Sequence, residues 1–149
     1  MKKYFLLLLI NTAVCCTTFC QPVPTEAQQT AIHSLIDQYS LARETSDTIL
    51  LKKILTSDID QLVSNGEWRN GIDAAVAGMI KSSASSPGKR TLTVDKIKLF
   101  SASVAVADCR YEITSADGSI RKMWSSFVVV ENQGKWKISA IRNMLPAAN

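Results

Sequence analysis

Residues 123–146, MWSSFVVVENQGKWKISAIRNMLP, constrain this chain more than any other stretch. Trp124, Phe127 and the run Val128, Val129, Val130 are the aromatic and β-branched residues that suit a pleated strand. Asn132-Gln133-Gly134 follows, and glycine accepts the positive φ that a short hairpin loop demands. The next segment alternates, with Trp136, Ile138 and Ala140 on one side and Lys137, Ser139 and Ile141 on the other, until Pro146 ends it. The spacing predicts a long antiparallel hairpin. Its first strand is apolar on both sides, more than one small core can bury, so a homodimer is expected.

The amino terminus reads as a secretory leader. Lys2 and Lys3 precede the apolar residues 4–10, YFLLLLI, in a stretch too short for a stable membrane span. Thr18 and Cys20 are small enough to place cleavage after Cys20. Residues 1–20 are then a signal peptide, residues 21–26 a linker with Pro22 and Pro24, and residues 27–146 one domain of ordinary size. The mature form is expected to be exported, periplasmic or secreted, without a stable span. Val14, Cys15 and Phe19 precede the three leader cysteines and do not fit the small residue that lipidation requires, so no lipid anchor is expected.

Loss of Lys2 and Lys3 halves the formal charge of +4 to +2, and no dense Lys/Arg run remains. Nucleic acid is therefore not an expected partner. Cys109 is left as the one cysteine of the mature chain, with no internal disulfide available, and its apolar strand face marks it as a small buried hydrophobe.

The remaining elements follow from periodicity. Ile32, Leu35, Ile36, Tyr39 and Ala42 make one helical stripe, with Thr25 and Gln28 spaced as a capping box. Ser46 or Asp47 caps a second, shorter helix whose Ile49, Leu50, Leu51, Ile54 and Leu55 are expected to face inward. A short strand, Asn65-Gly66 and a return through Trp68 lead to a third helix with Ile72, Ala75, Val76, Met79 and Ile80 on one face. Four long strands follow, at about 91–100, 104–114, 120–131 and 135–145. Ala105, Ala107, Cys109, Tyr111 and Ile113 form an all-apolar side, expected to face the helices. Helices grouped before a sheet indicate an α+β fold with the helices on one face.

The chain lacks a GxSxG elbow, a phosphate-binding glycine loop and a CxxC pair, and no cofactor or metal site is expected. His33 is the one histidine, at the edge of the first helical stripe, where a partly exposed flank residue fits better than a general base. Asp58, Asp60, Asp108 and Glu112 read as caps, solvated charges or ion-pair partners. The candidate ligand-binding set is Tyr39, Trp68, Tyr111, Trp124 and Arg142, which converge if the sheet curls around the helices. For the tryptophans, plain core or interface packing is the favoured account. Arg142 shares parity with Trp136, Ile138 and Ala140, so it is expected to face inward, where a guanidinium needs an anion or several acceptors.

Gly66-x-Trp68-x-x-Gly71, the run Val104-Ala105-Val106-Ala107-Asp108, and residues 134–143, GKWKISAIRN, together with the order of elements, resemble the nuclear transport factor 2-like superfamily. The chain is most similar to its SnoaL-like group, in the SgcJ/EcaC-type branch. The resemblance spans nearly all of the mature chain. It implies a cone of curled antiparallel sheet, closed by three helices around a pocket, often dimeric through the outer sheet face. Members include ketosteroid isomerase, polyketide cyclases, dehydratases and non-catalytic association domains. The isomerase's Asp base and its Tyr/Asp oxyanion pair have no residue-by-residue match here.

Three functions fit these readings: a pocket binding a small, partly apolar molecule, an acid-base pocket enzyme, and a dimeric association module with a filled core. Tyr39, Tyr111 and Arg142 are better at holding a ligand than at moving its protons near neutral pH, which ranks binding first and leaves catalysis undecided.

Overall fold

The computed structural model describes residues 22–147, so the expected leader and its cleavage site lie outside the described residues. Helix α1, Glu26–Glu44, starts where the sequence placed it: the Thr25 hydroxyl accepts from the Gln28 N–H, and the Gln28 side chain accepts from the Thr25 N–H. Its buried stripe is Ile32, Leu35, Ile36, Tyr39, Ala42 and Arg43. Helix α2, Thr48–Ile54, is capped by Asp47, whose carboxylate accepts from the Leu50 N–H at 2.8 Å. Leu51 and Ile54 are buried, but Ile49 is exposed, because a helix of two turns offers only one face to the core.

Strand β1, Leu55–Leu62, begins directly at the end of α2, so Leu55, expected on the second helix, is instead the first residue of the strand. The Leu55 backbone is already extended there, and its side chain is fully buried. Strand β2, Trp68–Asn70, pairs back on β1, and helix α3, Ile72–Ser85, follows. Strands β3, Lys89–Ser101, β4, Val104–Thr114, β5, Ile120–Asn132, and β6, Lys135–Met144, complete the chain.

The six strands form one sheet in the order β2-β1-β6-β5-β4-β3. Strands β3 to β6 are the expected antiparallel meander, but β1 runs parallel to β6, so the sheet is mixed. The helical segment between β2 and β3 leaves the β1–β2 hairpin to dock against the far side of β6, and the return direction makes that pairing parallel. The three helices pack on one face: α1 against β3 and β6, α3 against β1 and β2. This is the expected α+β fold, a curled sheet with three helices against it.

The core lies between the helices and this concave face. Ala105, Ala107, Cys109, Tyr111 and Ile113 are all buried there. Tyr39 of α1 meets Phe127 of β5 edge-to-face, with ring centroids 5.2 Å apart at 71°. Such a pair adds about 0.5–1.5 kcal/mol beyond the area it buries. The β5–β6 turn places Gln133 at φ 53° and Gly134 at φ 76°, the positive angles of a two-residue hairpin loop that follows the strand twist.

One irregularity in β6 changes which side chains point inward. Val129 pairs with Ile138, but Val128 pairs with Ala140, so Ser139 is an extra residue. A bulge of one residue reverses the alternation beyond it. Ile138 and Ile141 are both buried, and Ala140 and Arg142 turn to the outer face. Among the described residues no helix is long and apolar enough to cross a membrane.

Candidate functional site

The five residues singled out from the sequence do not come together. Tyr39 and Tyr111 are buried on the concave side, at 2% and 4% exposure. Trp68 and Trp124 stand on the outer face, at 52% and 42% exposure. Arg142 is also on the outer face, which corrects its expected inward position; the Ser139 bulge is the reason. Its two Nη atoms each donate to one carboxylate oxygen of Asp60 at 2.9 Å, and its guanidinium lies 4.8 Å from the centre of the Trp68 ring. That stack is held to the sheet by the parallel pairing of Leu62 with Arg142 and the pairing of Leu62 with Trp68.

A cavity of about 390 Å³ opens between α3, the β1–β2 hairpin and the ends of β3 to β6. Ile113, Met123 and Val63 give it apolar wall, and Tyr111 lines it with a phenol. Its charge is lopsided. Arg43, Arg69, Arg90, Arg121 and Lys81 line it, against one carboxylate, Glu67.

Arg43 comes from the last turn of α1, where it continues the stripe of Ile36 and Tyr39. It is 5% exposed. Its Nη1 donates to the Tyr39 hydroxyl at 2.8 Å and its Nε to the Ser83 hydroxyl at 3.2 Å. Burial works against the charge; the coulombic pull of Tyr39 and Tyr111, which a phenol exerts only once ionised at alkaline pH, and the Tyr39 hydrogen bond outweigh it there, so the Arg43 pKa lies above its ordinary value.

Arg69 points inward because its neighbours Trp68 and Asn70 point outward on the short strand β2. Its Nε donates to Glu67 at 2.8 Å, its Nη1 to the Gln61 side-chain carbonyl at 3.3 Å and its Nη2 to the Ser82 hydroxyl at 3.2 Å. The guanidinium lies on Gly78 of α3, where any Cβ would overlap it. Glu67 is held below the usual carboxylate range by its bond to Arg69, which makes it a weak proton acceptor.

Arg90, at the start of β3, is 5% exposed. Its Nη2 donates to the Ser86 carbonyl at 2.7 Å and its Nη1 to the Gly88 carbonyl at 3.1 Å, while its buried Nε has no acceptor among the described residues. Gly88 makes this possible. Its φ is 152°, and a Cβ there would stand 2.5 Å from the Thr114 carbonyl, so only glycine lets this loop close onto the end of β4. Tyr111 lies near both Arg43 and Arg90. Desolvation raises its pKa, and the two guanidiniums oppose that only in part, so the phenol keeps its proton at neutral pH. Arg121 is exposed at the rim and bonds the Ser64 hydroxyl at 3.0 Å. On the floor, the Ser125 hydroxyl donates to the Asn143 side-chain carbonyl at 2.7 Å.

The sequence reading missed Arg43, Arg69 and Arg90. The signals were present: Arg43 lies four residues after Tyr39 on a buried stripe, and Arg90 shares parity with Leu92 and Val94. The arrangement can bind oxyanions through several charged and phenolic donors. A neutral imidazole is absent from it, since His33 is exposed and lies outside the cavity.

No family model matches the chain, and no curated protein matches it in sequence. Solved structures do match in shape. A nuclear transport factor 2-like protein of unknown function from Shewanella oneidensis aligns at TM-score 0.67 and 20% identity, over 78% of this chain and 98% of its own. An uncharacterised protein with a cystatin-like fold from Caulobacter vibrioides aligns at TM-score 0.70 and 19% identity, over 80% of this chain and 89% of its own. A nuclear transport factor 2-like protein with a cystatin-like fold from Novosphingobium aromaticivorans gives TM-score 0.70 and 16% identity, over 81% and 83%. At these identities the likeness is one of fold, and the fold of this chain is the nuclear transport factor 2-like α+β fold.

Proposed function

We propose that this chain is an exported binding protein whose cavity takes a small, partly apolar molecule by its acidic group. The observation that carries this reading is the pair Arg43 and Arg90. Each is 5% exposed, both line one cavity, and neither has a carboxylate partner among the described residues. A buried guanidinium without a counter-anion is costly, and a ligand anion relieves that cost. The cavity volume of about 390 Å³ lies within the range of small-molecule sites. Binding ranks above acid-base catalysis because Glu67, the one carboxylate in the lining, is already engaged by Arg69 and less basic for it. The test is calorimetric titration with small aromatic and aliphatic carboxylates, repeated on Arg43→Gln and Arg90→Gln. Binding by the parent protein that falls at least about tenfold in each variant supports the reading, since a charge-assisted hydrogen bond contributes about 1.5–3 kcal/mol. Binding that ignores both substitutions overturns it.

The motif likeness to the SnoaL-like group and its SgcJ/EcaC-type branch fits a pocket protein and belongs to the same proposal. So does export, which mass spectrometry tests by looking for a mature chain that starts at Gln21. We also infer a homodimer through the outer face, where the neighbouring pairs Val104–Val130 and Val106–Val128 present a contiguous apolar surface. Sedimentation showing a strict monomer at tens of micromolar, roughly where weak dimers still assemble, refutes that part.

A further inference from the structure

We infer that the group held in the cavity is a dianion, a phosphoryl group or a pair of close carboxylates on a small apolar body, which neutralises Arg43 and Arg90 together. This rests on the anion-binding reading above and narrows it to a ligand class.

The inference comes from matching charge to burial. Three guanidiniums lining the cavity are more than nine-tenths buried: Arg43, Arg69 and Arg90. Arg69 is matched by Glu67 at 2.8 Å. Arg121 and Lys81 are exposed, so water screens them and they demand no fixed partner. Two buried positive charges are left, held by neutral groups alone: the Tyr39 and Ser83 hydroxyls on Arg43, and the Ser86 and Gly88 carbonyls on Arg90. A monoanion compensates one of them and leaves the other buried and unpaired, which is the costly arrangement. A dianion compensates both.

The free donors agree with this count. The Arg90 Nε is buried with no acceptor among the described residues, which adds to the cost of that charge rather than supplying a donor to the cavity. Arg43 uses Nε and Nη1, leaving Nη2 without an acceptor among the described residues. Tyr111 sits near both guanidiniums and retains a phenolic proton to donate. Arg43, Arg90 and Tyr111 come from α1, β3 and β4 and all line this one cavity. A phosphoryl group offers three terminal oxygens to such a set, and two adjacent carboxylates offer four. The apolar residues Ile113 and Met123 beside them suit an attached hydrocarbon or aromatic body.

The experiment is calorimetric titration of the purified protein at pH 7.5 with three probes of similar body: benzoate, phthalate and phenyl phosphate. At that pH phenyl phosphate is mostly a dianion, because phosphomonoesters lose their second proton near pH 6. Phthalate or phenyl phosphate binding at least about tenfold more tightly than benzoate is the expected result, and the better of the two tells paired carboxylates from a phosphoryl group. Arg43→Gln and Arg90→Gln should each reduce that preference to less than about threefold. Benzoate binding as tightly as both dianions overturns this inference and leaves the anion-binding reading standing. Failure of all three probes to bind overturns both. The parent-protein comparison decides the matter even where a substituted chain fails to fold.

Discussion

The Arg43 guanidinium donates to the Tyr39 hydroxyl at 2.8 Å from one helical turn further along α1, and both side chains are buried. The pair does two things at once. Tyr39 packs its ring against Phe127 in the core, and its hydroxyl supplies Arg43 with an acceptor that carries no negative charge. Arg43 is thus held in place without being neutralised.

Tyr39→Phe keeps the ring and removes that acceptor. The Arg43 donor is then left buried and unsatisfied, at a cost of about 1–3 kcal/mol. Urea unfolding should show the midpoint fall with an unchanged slope. A midpoint equal to that of the parent protein would mean that Arg43 does not depend on this phenol.

Gly78→Ala sets two effects against each other. Alanine in mid-helix gains about 1 kcal/mol over glycine. The new methyl overlaps the Arg69 guanidinium, which three hydrogen bonds hold in place, and overpacking costs about 1–3 kcal/mol. The net expectation is a loss of up to about 2 kcal/mol. In an Arg69→Ala background the overlap disappears, and the same substitution should become stabilising. Thermal unfolding of the four proteins measures the change of sign.

Most of the architecture was legible in the sequence because helical stripes and strand alternation report burial directly. The capping box of Thr25 and Gln28, the Asp47 cap and the inward side of β4 are each local patterns that the fold keeps. The direction of Arg142 was not legible. It depends on the extra residue Ser139, and a one-residue bulge leaves no mark in an alternation read residue by residue. The parallel β1–β6 pairing was equally hidden, since it joins segments about 80 residues apart by tertiary docking. Little of the candidate site was legible. Of the five residues singled out only Tyr111 lines the cavity, whereas Arg43, Arg69 and Arg90 reach it from three separate elements, and their meeting is a property of the curled sheet.

Arg142→Ala tests the corrected position of that residue. Its pair with Asp60 is about one-third exposed on both sides, and such pairs contribute at most about 1 kcal/mol. Loss of the contact with the Trp68 ring adds about 0.5–1 kcal/mol at an exposed site. The expected result is a destabilisation of about 1–2 kcal/mol with the affinity of the cavity for anions unchanged. An affinity that falls with Arg142→Ala, as it should with Arg43→Gln, would place Arg142 in the binding machinery after all.

Cys109 gives a prediction in pH. Its thiol is buried among apolar neighbours on the concave face, and desolvation, with Asp108 and Asp95 adding to it, pushes its pKa up to about 12 from 9.0. The folded state therefore favours the neutral thiol. Below about pH 9 the thiol is protonated in both folded and unfolded chains, and this contribution to stability is fully present. Between about 9 and about 12 the unfolded chain releases the proton while the folded one keeps it, so stability falls as pH rises. Urea midpoints for the parent protein should decline more steeply across that window than those of Cys109→Ala, which lacks the titrating group. A thiol reagent at pH 8 should label Cys109 only after denaturant is added, because the thiolate is the reactive form and the folded site suppresses it. Rapid labelling of the native protein, or parallel pH profiles for the two chains, would show that the thiol is not held neutral by its surroundings.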